Sequence, residues 1–156
     1  MERYDSYRIT IFVCANSACQ GGVLTDGGAA CPEIPDSGLP GRVRQIVLPC
    51  AGDLQPERIL KTFEDGSDVI VVIACEEDNC HYSEGSRRCA LRVEYIRSLI
   101  EEIGLGEGRL LFFRLPGSAV VPLEDSIRAI RDQVLEALRI YPPNPLRMYE
   151  TGAGER

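Results

Sequence analysis

The chain holds a single histidine, no surplus of positive charge and no long apolar run. Each shortage closes off a class of function. With 24 acidic against 17 basic side chains the formal net charge is −7, so there is no basic excess to neutralise nucleic-acid phosphates. No apolar segment approaches the ~20 residues needed to cross a bilayer. The first residues, Met1-Glu-Arg-Tyr-Asp-Ser-Tyr, lack the apolar segment of a secretion signal, and a cytoplasmic protein is expected. A length of 156 residues suits one domain with a real core.

Against these shortages stand seven cysteines. In a chain that is not secreted thiols stay reduced, so a cysteine-dense sequence points to metal binding or redox chemistry rather than to a disulfide framework. An odd count also leaves at least one thiol outside any complete internal pairing.

The chain is organised around Val69-Ile-Val-Val-Ile-Ala-Cys75, followed by Glu-Glu-Asp-Asn-Cys80-His81-Tyr82. Five β-branched residues in succession, Val69 to Ile73, predict a strand buried on both faces of a parallel sheet. An earlier strand is expected over Arg8 to Val13, ending at Cys14, and another over Val43 to Leu48, ending at Pro49-Cys50. Between them lies a glycine- and proline-rich insert with Cys19 and Cys31, too long for an ordinary connection. It is expected to be a functional loop with a short helical piece around Gln20 to Leu24. Pro56 opens a helix whose inward residues are Ile59, Leu60 and Phe63, stopped at Gly66. A long helix is predicted from Ser86 to Ile103 with a stripe at Val93, Ile96, Ile100 and Ile103. A fourth strand follows over Arg109 to Leu115. A last helix from Pro122 to Ile140 carries Ile127, Ile130, Val134 and Leu138 on one face, and Pro142-Pro-Asn-Pro145 terminates it. The expected fold is a single α/β domain, residues 1–145, built on a mainly parallel four-stranded sheet flanked by helices. Residues 146–156 lack periodicity and are expected to be a flexible or partner-docking tail.

Parallel strands present their carboxyl ends on one edge, where ligands bind. Cys14, Cys50 and Cys75 each follow a different core strand, which predicts a metal site at that edge. Cys80 lies close enough to complete a four-thiolate set, and Cys19 is a fifth candidate. Four thiolates suit zinc or an iron–sulfur cluster. The two local pairs, Cys14/Cys19 and Cys75/Cys80, are both C-x₄-C, compatible with a ferredoxin-type [2Fe–2S] site. The amides at the start of the Pro56 helix would favour the negative charge of such a site. A Rieske centre needs two histidines and is excluded within one chain. The segment from Cys14 to Gln20 superficially resembles the loop of low-molecular-weight tyrosine phosphatases and arsenate reductases. That loop needs an arginine where this chain has Gln20.

Each residue also has a plainer reading. A buried cysteine is commonly a small hydrophobe, and Cys89, on the long helix, reads as packing. Cys31 sits in the irregular loop. His81 reads as hydrogen-bonded structure beside a ligand candidate rather than as a ligand. Arg87, Arg88 and Arg92 read as a solvated helix face, with neutralisation of a cluster or docking of a partner as the sharper alternative. The acidic run Glu76 to Asp78 reads as solvated loop, or as a feature that lowers a reduction potential or meets a basic partner.

The stretch Cys50-Ala-Gly52-Asp-Leu-Gln-Pro56-Glu-Arg-Ile59-Leu60-Lys-Thr-Phe63-Glu-Asp-Gly66-Ser-Asp68, followed by Cys75-x₄-Cys80-His81-Tyr82-x-x-Gly85, resembles the methyl-viologen-reducing hydrogenase delta subunit family. Its members are iron–sulfur proteins associated with heterodisulfide reductase. The resemblance runs from about Arg8 to Gly106, with Cys-x₄-Cys-His-Tyr as its most specific part. It implies an electron-transfer subunit with one [2Fe–2S] cluster and no substrate of its own. It also implies a hydrogenase or other oxidoreductase on one side and a heterodisulfide reductase-type flavoprotein on the other. Cys14, Cys50, Cys75 and Cys80 fall on family cysteines. The chain departs at Ser17, where the family has the second cysteine of a C-x₂-C, with Cys19 two residues further on. The acidic and aromatic features expected after the fourth strand are absent. Two other classes stay open: a structural zinc module, and a thiol enzyme using Cys14 as nucleophile or Cys75/Cys80 as a redox pair.

Overall fold

A computed structural model describes residues 4–15, 24–25, 28–29, 38–76, 84–115 and 123–147. In chain order the elements are β1 (Arg8–Cys14), β2 (Leu24–Thr25), β3 (Gly28–Ala29), β4 (Arg42–Leu48), α1 (Pro56–Glu64), β5 (Val69–Cys75), α2 (Gly85–Glu102), β6 (Leu110–Leu115) and α3 (Leu123–Ile140). Strands β4, β1, β5 and β6 pair in that order into one sheet, and all its pairings are parallel. This is the α/β fold that strand–helix alternation predicts.

Burial on both faces sorts the strand residues. Every residue of β5 is buried, and along β1 and β5 alternate side chains enter different cores. Phe12, Ile70 and Val72 pack with α1 and α2 on one face, through Ile59, Phe63, Val93, Ile96 and Ile100. Ile9, Ile11, Val13, Val69, Val71 and Ile73 pack on the other, against Ile130, Val134 and Leu138 of α3. Full burial of each such side chain stabilises the fold by ~1.5–3 kcal/mol.

Three details differ from the sequence expectation. Leu60 is 37% exposed, since the one-sided contact of a two-and-a-half-turn helix is satisfied by Ile59 and Phe63. Ile103 is 69% exposed, because α2 ends at Glu102 before the stripe completes another turn over the sheet. In the insert, Leu24 belongs to β2, which pairs antiparallel with β3, rather than to a helical piece. Residues 20–23 lie outside the described residues.

The amino edge of the sheet is closed by a polar clasp. Asp68, fully buried just before β5, accepts from Arg8 N at 2.6 Å and from Asn144 N at 2.6 Å, and Arg147 donates to it as well. The Asn144 side chain donates to Phe63 O at 2.8 Å and to Ser67 O at 2.7 Å. Arg147 Nε donates to Gly66 O at 2.9 Å and its Nη1 to Ser6 O at 2.8 Å. Arg109, also buried, spans Leu105 O, Asp68 O and Pro142 O. Burial draws its pKa down from the usual arginine value, and Asp68 opposes the shift. Leu146 and Arg147, the first residues of the expected tail, are thus anchored here; residues 148–156 lie outside the described residues. Gly106 is required beneath this clasp: its φ is 104°, and a Cβ there would come within 2.2 Å of the Tyr141 ring.

Asn144→Ala would remove the side-chain donor to Ser67 O and Phe63 O, the latter keeping Gly66 N, and the acceptor of Leu146 N, and a loss of about 2–3 kcal/mol is expected. Urea unfolding should show a lower midpoint with an unchanged slope. A midpoint equal to wild type would show that the clasp adds nothing to stability.

Candidate metal centre

Parallel register brings the strand-end cysteines to one edge. Cys14 pairs in register with Leu48 of β4, two residues before Cys50, and Val13 with Ile73 of β5, two residues before Cys75. Because β4, β1 and β5 are neighbours, three thiols from three separate stretches of chain converge at the carboxyl edge. All three are buried: Cys14 is 1%, Cys50 6% and Cys75 2% exposed. Cys19, Cys80 and His81 lie outside the described residues, as does Cys31. Among the described residues no three histidine, cysteine or acidic side chains are grouped for a single ion.

The turn after β4 is shaped around its sulfur. Ala51–Asp53 form one 3₁₀ turn with Cys50 as its cap, and Gly52 N donates to Cys50 Sγ at 3.3 Å. A backbone amide aimed at sulfur favours the thiolate, the form in which cysteine binds metal. Gly52 is needed for a second reason. A Cβ at this position would lie 2.8 Å from Gly85 Cα, at the start of α2. The Cys50 turn and the first turn of α2 therefore touch backbone to backbone.

That contact draws α2 into the site. Ser86 is buried, and its hydroxyl donates to Cys75 O at 2.5 Å; Arg114 Nε, at the end of β6, donates to the same hydroxyl at 3.2 Å. Arg114 also lies over the Phe112 ring, 5.2 Å from its centroid. One turn beyond Gly85, Cys89 is 1% exposed and packs in the same core as Cys14 and Cys75. Burial pushes its thiol up to about 12. The Arg92 charge pulls the other way, charge on Cys50 and Cys14 raises it further, and Arg114 lowers it. Cys89 is a packing residue, as its helical position predicts, but a fourth thiol beside the other three. Arg87 and Arg88 are exposed, as a solvated face requires. Arg92 departs from that reading: it is half-buried and donates to Gly52 O and, at 3.3 Å, to Leu54 O. The signal for both was the spacing from Gly85, since Cys89 lies four residues on and Arg92 seven, along the side of the helix that continues through Val93, Ile96 and Ile100.

The donor chemistry fits a thiolate-bound group. Three buried sulfurs on one edge, one of them met by a backbone amide, offer soft anionic ligands, and the described residues place no histidine among them. Fold and edge define an α/β domain with three buried thiols at the carboxyl ends of a parallel sheet. The family of the methyl-viologen-reducing hydrogenase delta subunit matches residues 9–137, and the chain belongs to that family. An iron-sulfur subunit of the F420-non-reducing hydrogenase of Methanocaldococcus jannaschii is 28% identical over 109 residues, covering 69% of this chain and 78% of that protein. The hydrogenase iron-sulfur subunit of Archaeoglobus profundus is 30% identical over 79 residues, 51% of this chain and 58% of its own length. A large component of the ferredoxin:CoB-CoM heterodisulfide reductase of Methanosarcina mazei is 34% identical over 71 residues, which are 46% of this chain and 9% of that protein.

Two measurements probe this arrangement. Gly52→Ala should push α2 from the Cys50 turn and cost ~1–3 kcal/mol, read by thermal unfolding. For Cys89 the sign follows from burial favouring the neutral thiol. Its contribution to stability is fully present below about 9, the ordinary thiol value, and is lost as pH rises toward about 12. The metal-free protein should therefore lose stability above that pH, and Cys89→Ala should show a shallower fall in urea midpoint. Equal slopes would show that this thiol is not held neutral by burial.

Proposed function

We propose that the chain is an electron-transfer subunit that carries one [2Fe–2S] cluster at the carboxyl edge of its sheet, held by Cys14, Cys50, Cys75 and Cys80. Cys19 stands as the reserve ligand. The observation that carries this reading is the convergence of three buried thiols from adjacent parallel strands, with the Gly52 amide on Cys50 Sγ. Family membership and relatives named iron-sulfur subunits support it. Such a cluster, when bound, supplies a one-electron carrier: one electron enters from a donor protein and one leaves to an acceptor.

The chain's own part is to hold and tune. The strand ends fix where the sulfurs stand, and the Ser86 hydroxyl secures the Cys75 carbonyl, which ties the start of α2 to the end of β5. The buried face formed by Cys89, Val93 and Ile96 keeps water from the inner side of the site. The partners we propose are a hydrogenase-like or other oxidoreductase as donor and a heterodisulfide reductase-type flavoprotein as acceptor, in the cytoplasm. The names of the hydrogenase and heterodisulfide reductase relatives support this pairing. The tail, residues 146–156, is proposed as a partner-docking segment whose first residues, Leu146 and Arg147, are anchored on the clasp. No helix among the described residues is long and apolar enough to cross a membrane.

Anaerobic purification with iron and sulfide analysis should give about two of each per chain, and dithionite reduction an EPR signal of a [2Fe–2S] centre. Cys75→Ser and Cys50→Ser should each lose most of the iron. Zinc in place of iron, or an unaltered spectrum in both variants, would remove the electron-transfer reading.

A further inference from the structure

Arg92 stands apart from the other arginines of its helix. Arg87 and Arg88 point to solvent, and Arg88 makes only an exposed ion pair with Glu84. Arg92 turns inward instead, and its Nη1 donates to two carbonyls of the turn that follows Cys50, Gly52 O and Leu54 O. Those bonds leave its charge intact, because carbonyls are neutral acceptors and a guanidinium stays protonated in proteins. Among the described ion pairs none involves Arg92. The turn it grips is the one whose Gly52 N donates to Cys50 Sγ at 3.3 Å. Arg92 thus holds its charge against the turn of one buried sulfur, while Arg114 reaches the Cys75 end of the edge through the Ser86 hydroxyl.

A fixed cation at an iron–sulfur site favours the state with more negative charge, and net charge and hydrogen bonding are among the levers that set cluster potentials. We propose that Arg92 is an electrostatic positioning residue of the thiolate site, holding the Cys50 turn by its two carbonyls while its charge biases the bound iron–sulfur group toward the reduced state. The inference rests on the electron-transfer reading above and extends it from which residues bind to which residue sets the readiness to accept an electron. It gives the acidic chain, net charge −7, a local positive counterweight where an electron is stored. Arg92 touches neither electron donor nor acceptor in this role and acts only through the site.

The test is a dye-mediated redox titration followed by EPR on anaerobically purified wild type, Arg92→Lys and Arg92→Gln, with iron and sulfide measured on each sample. Arg92→Gln should keep its iron while its reduced-to-oxidised ratio at a fixed potential falls about fivefold, ~40 mV at 59 mV per decade for one electron. Arg92→Lys, which keeps the charge but changes the hydrogen bonds, should stay within about twofold of wild type. That contrast separates charge from architecture, which a purely structural role would not do. A loaded Arg92→Gln with the wild-type midpoint would overturn the proposal, as would an Arg92→Lys that falls as far as Arg92→Gln. If Arg92→Gln takes up no iron, Arg92→Lys decides: within twofold supports the proposal, a fivefold fall overturns it. Loss of iron from both variants would also overturn it, since the fork and not the charge would then be what the site needs. A wild-type protein that takes up no iron–sulfur group fails the parent reading first, before any variant is compared.

Discussion

Parallel pairing is the constraint on which the rest depends. Strands β4, β1 and β5 run side by side in the same direction, so residues that are far apart in the chain but equally placed at strand ends become neighbours. Antiparallel pairing of any one of them would carry its cysteine to the far side of the domain. The pairing holds because its central strands are apolar on both faces and are covered on both. The thiol edge is therefore a consequence of core packing as much as of the cysteines themselves.

Much of this was written in the sequence. The run Val69 to Ile73 could only be a strand buried twice, and the alternation of strands with helices led directly to the observed sheet. Cys14, Cys50 and Cys75 were visible because each stands at or just past the end of a strand-like run. What escaped were effects without a local pattern. Leu60 sits at a helical spacing that suits burial, yet α1 has only one face to cover and two better placed residues to cover it. Asp68 and Asn144 look like ordinary loop residues; 76 positions separate them, and only the folded chain reveals that they meet. Arg92 was missed although its spacing from Gly85 marked it, because residue type alone groups it with Arg87 and Arg88.

Helix α2 is the part that joins these layers. Its first residue rests against Gly52, its second binds the carbonyl of Cys75, its fifth packs among the thiols and its eighth grips the Cys50 turn. Two cysteine-bearing turns from different strands are thereby fixed to one rigid body. Long-range order at the edge comes from helix geometry, with a period that places these residues on one side. The exposed side of the same helix carries Leu91 and Tyr95, so one face shapes the site while the other is left open to solvent.

The clasp around Asp68 lies at the opposite end of the strands from the cysteines. It ties residues from both ends of the described chain, Ser6 and Arg147, to the middle. The domain thus has a conservative pole and a permissive one. Changes among the sulfur-bearing turns act on parts whose foundation is fastened elsewhere, so a lineage could retune the carboxyl edge for a new redox companion without renegotiating how the chain folds.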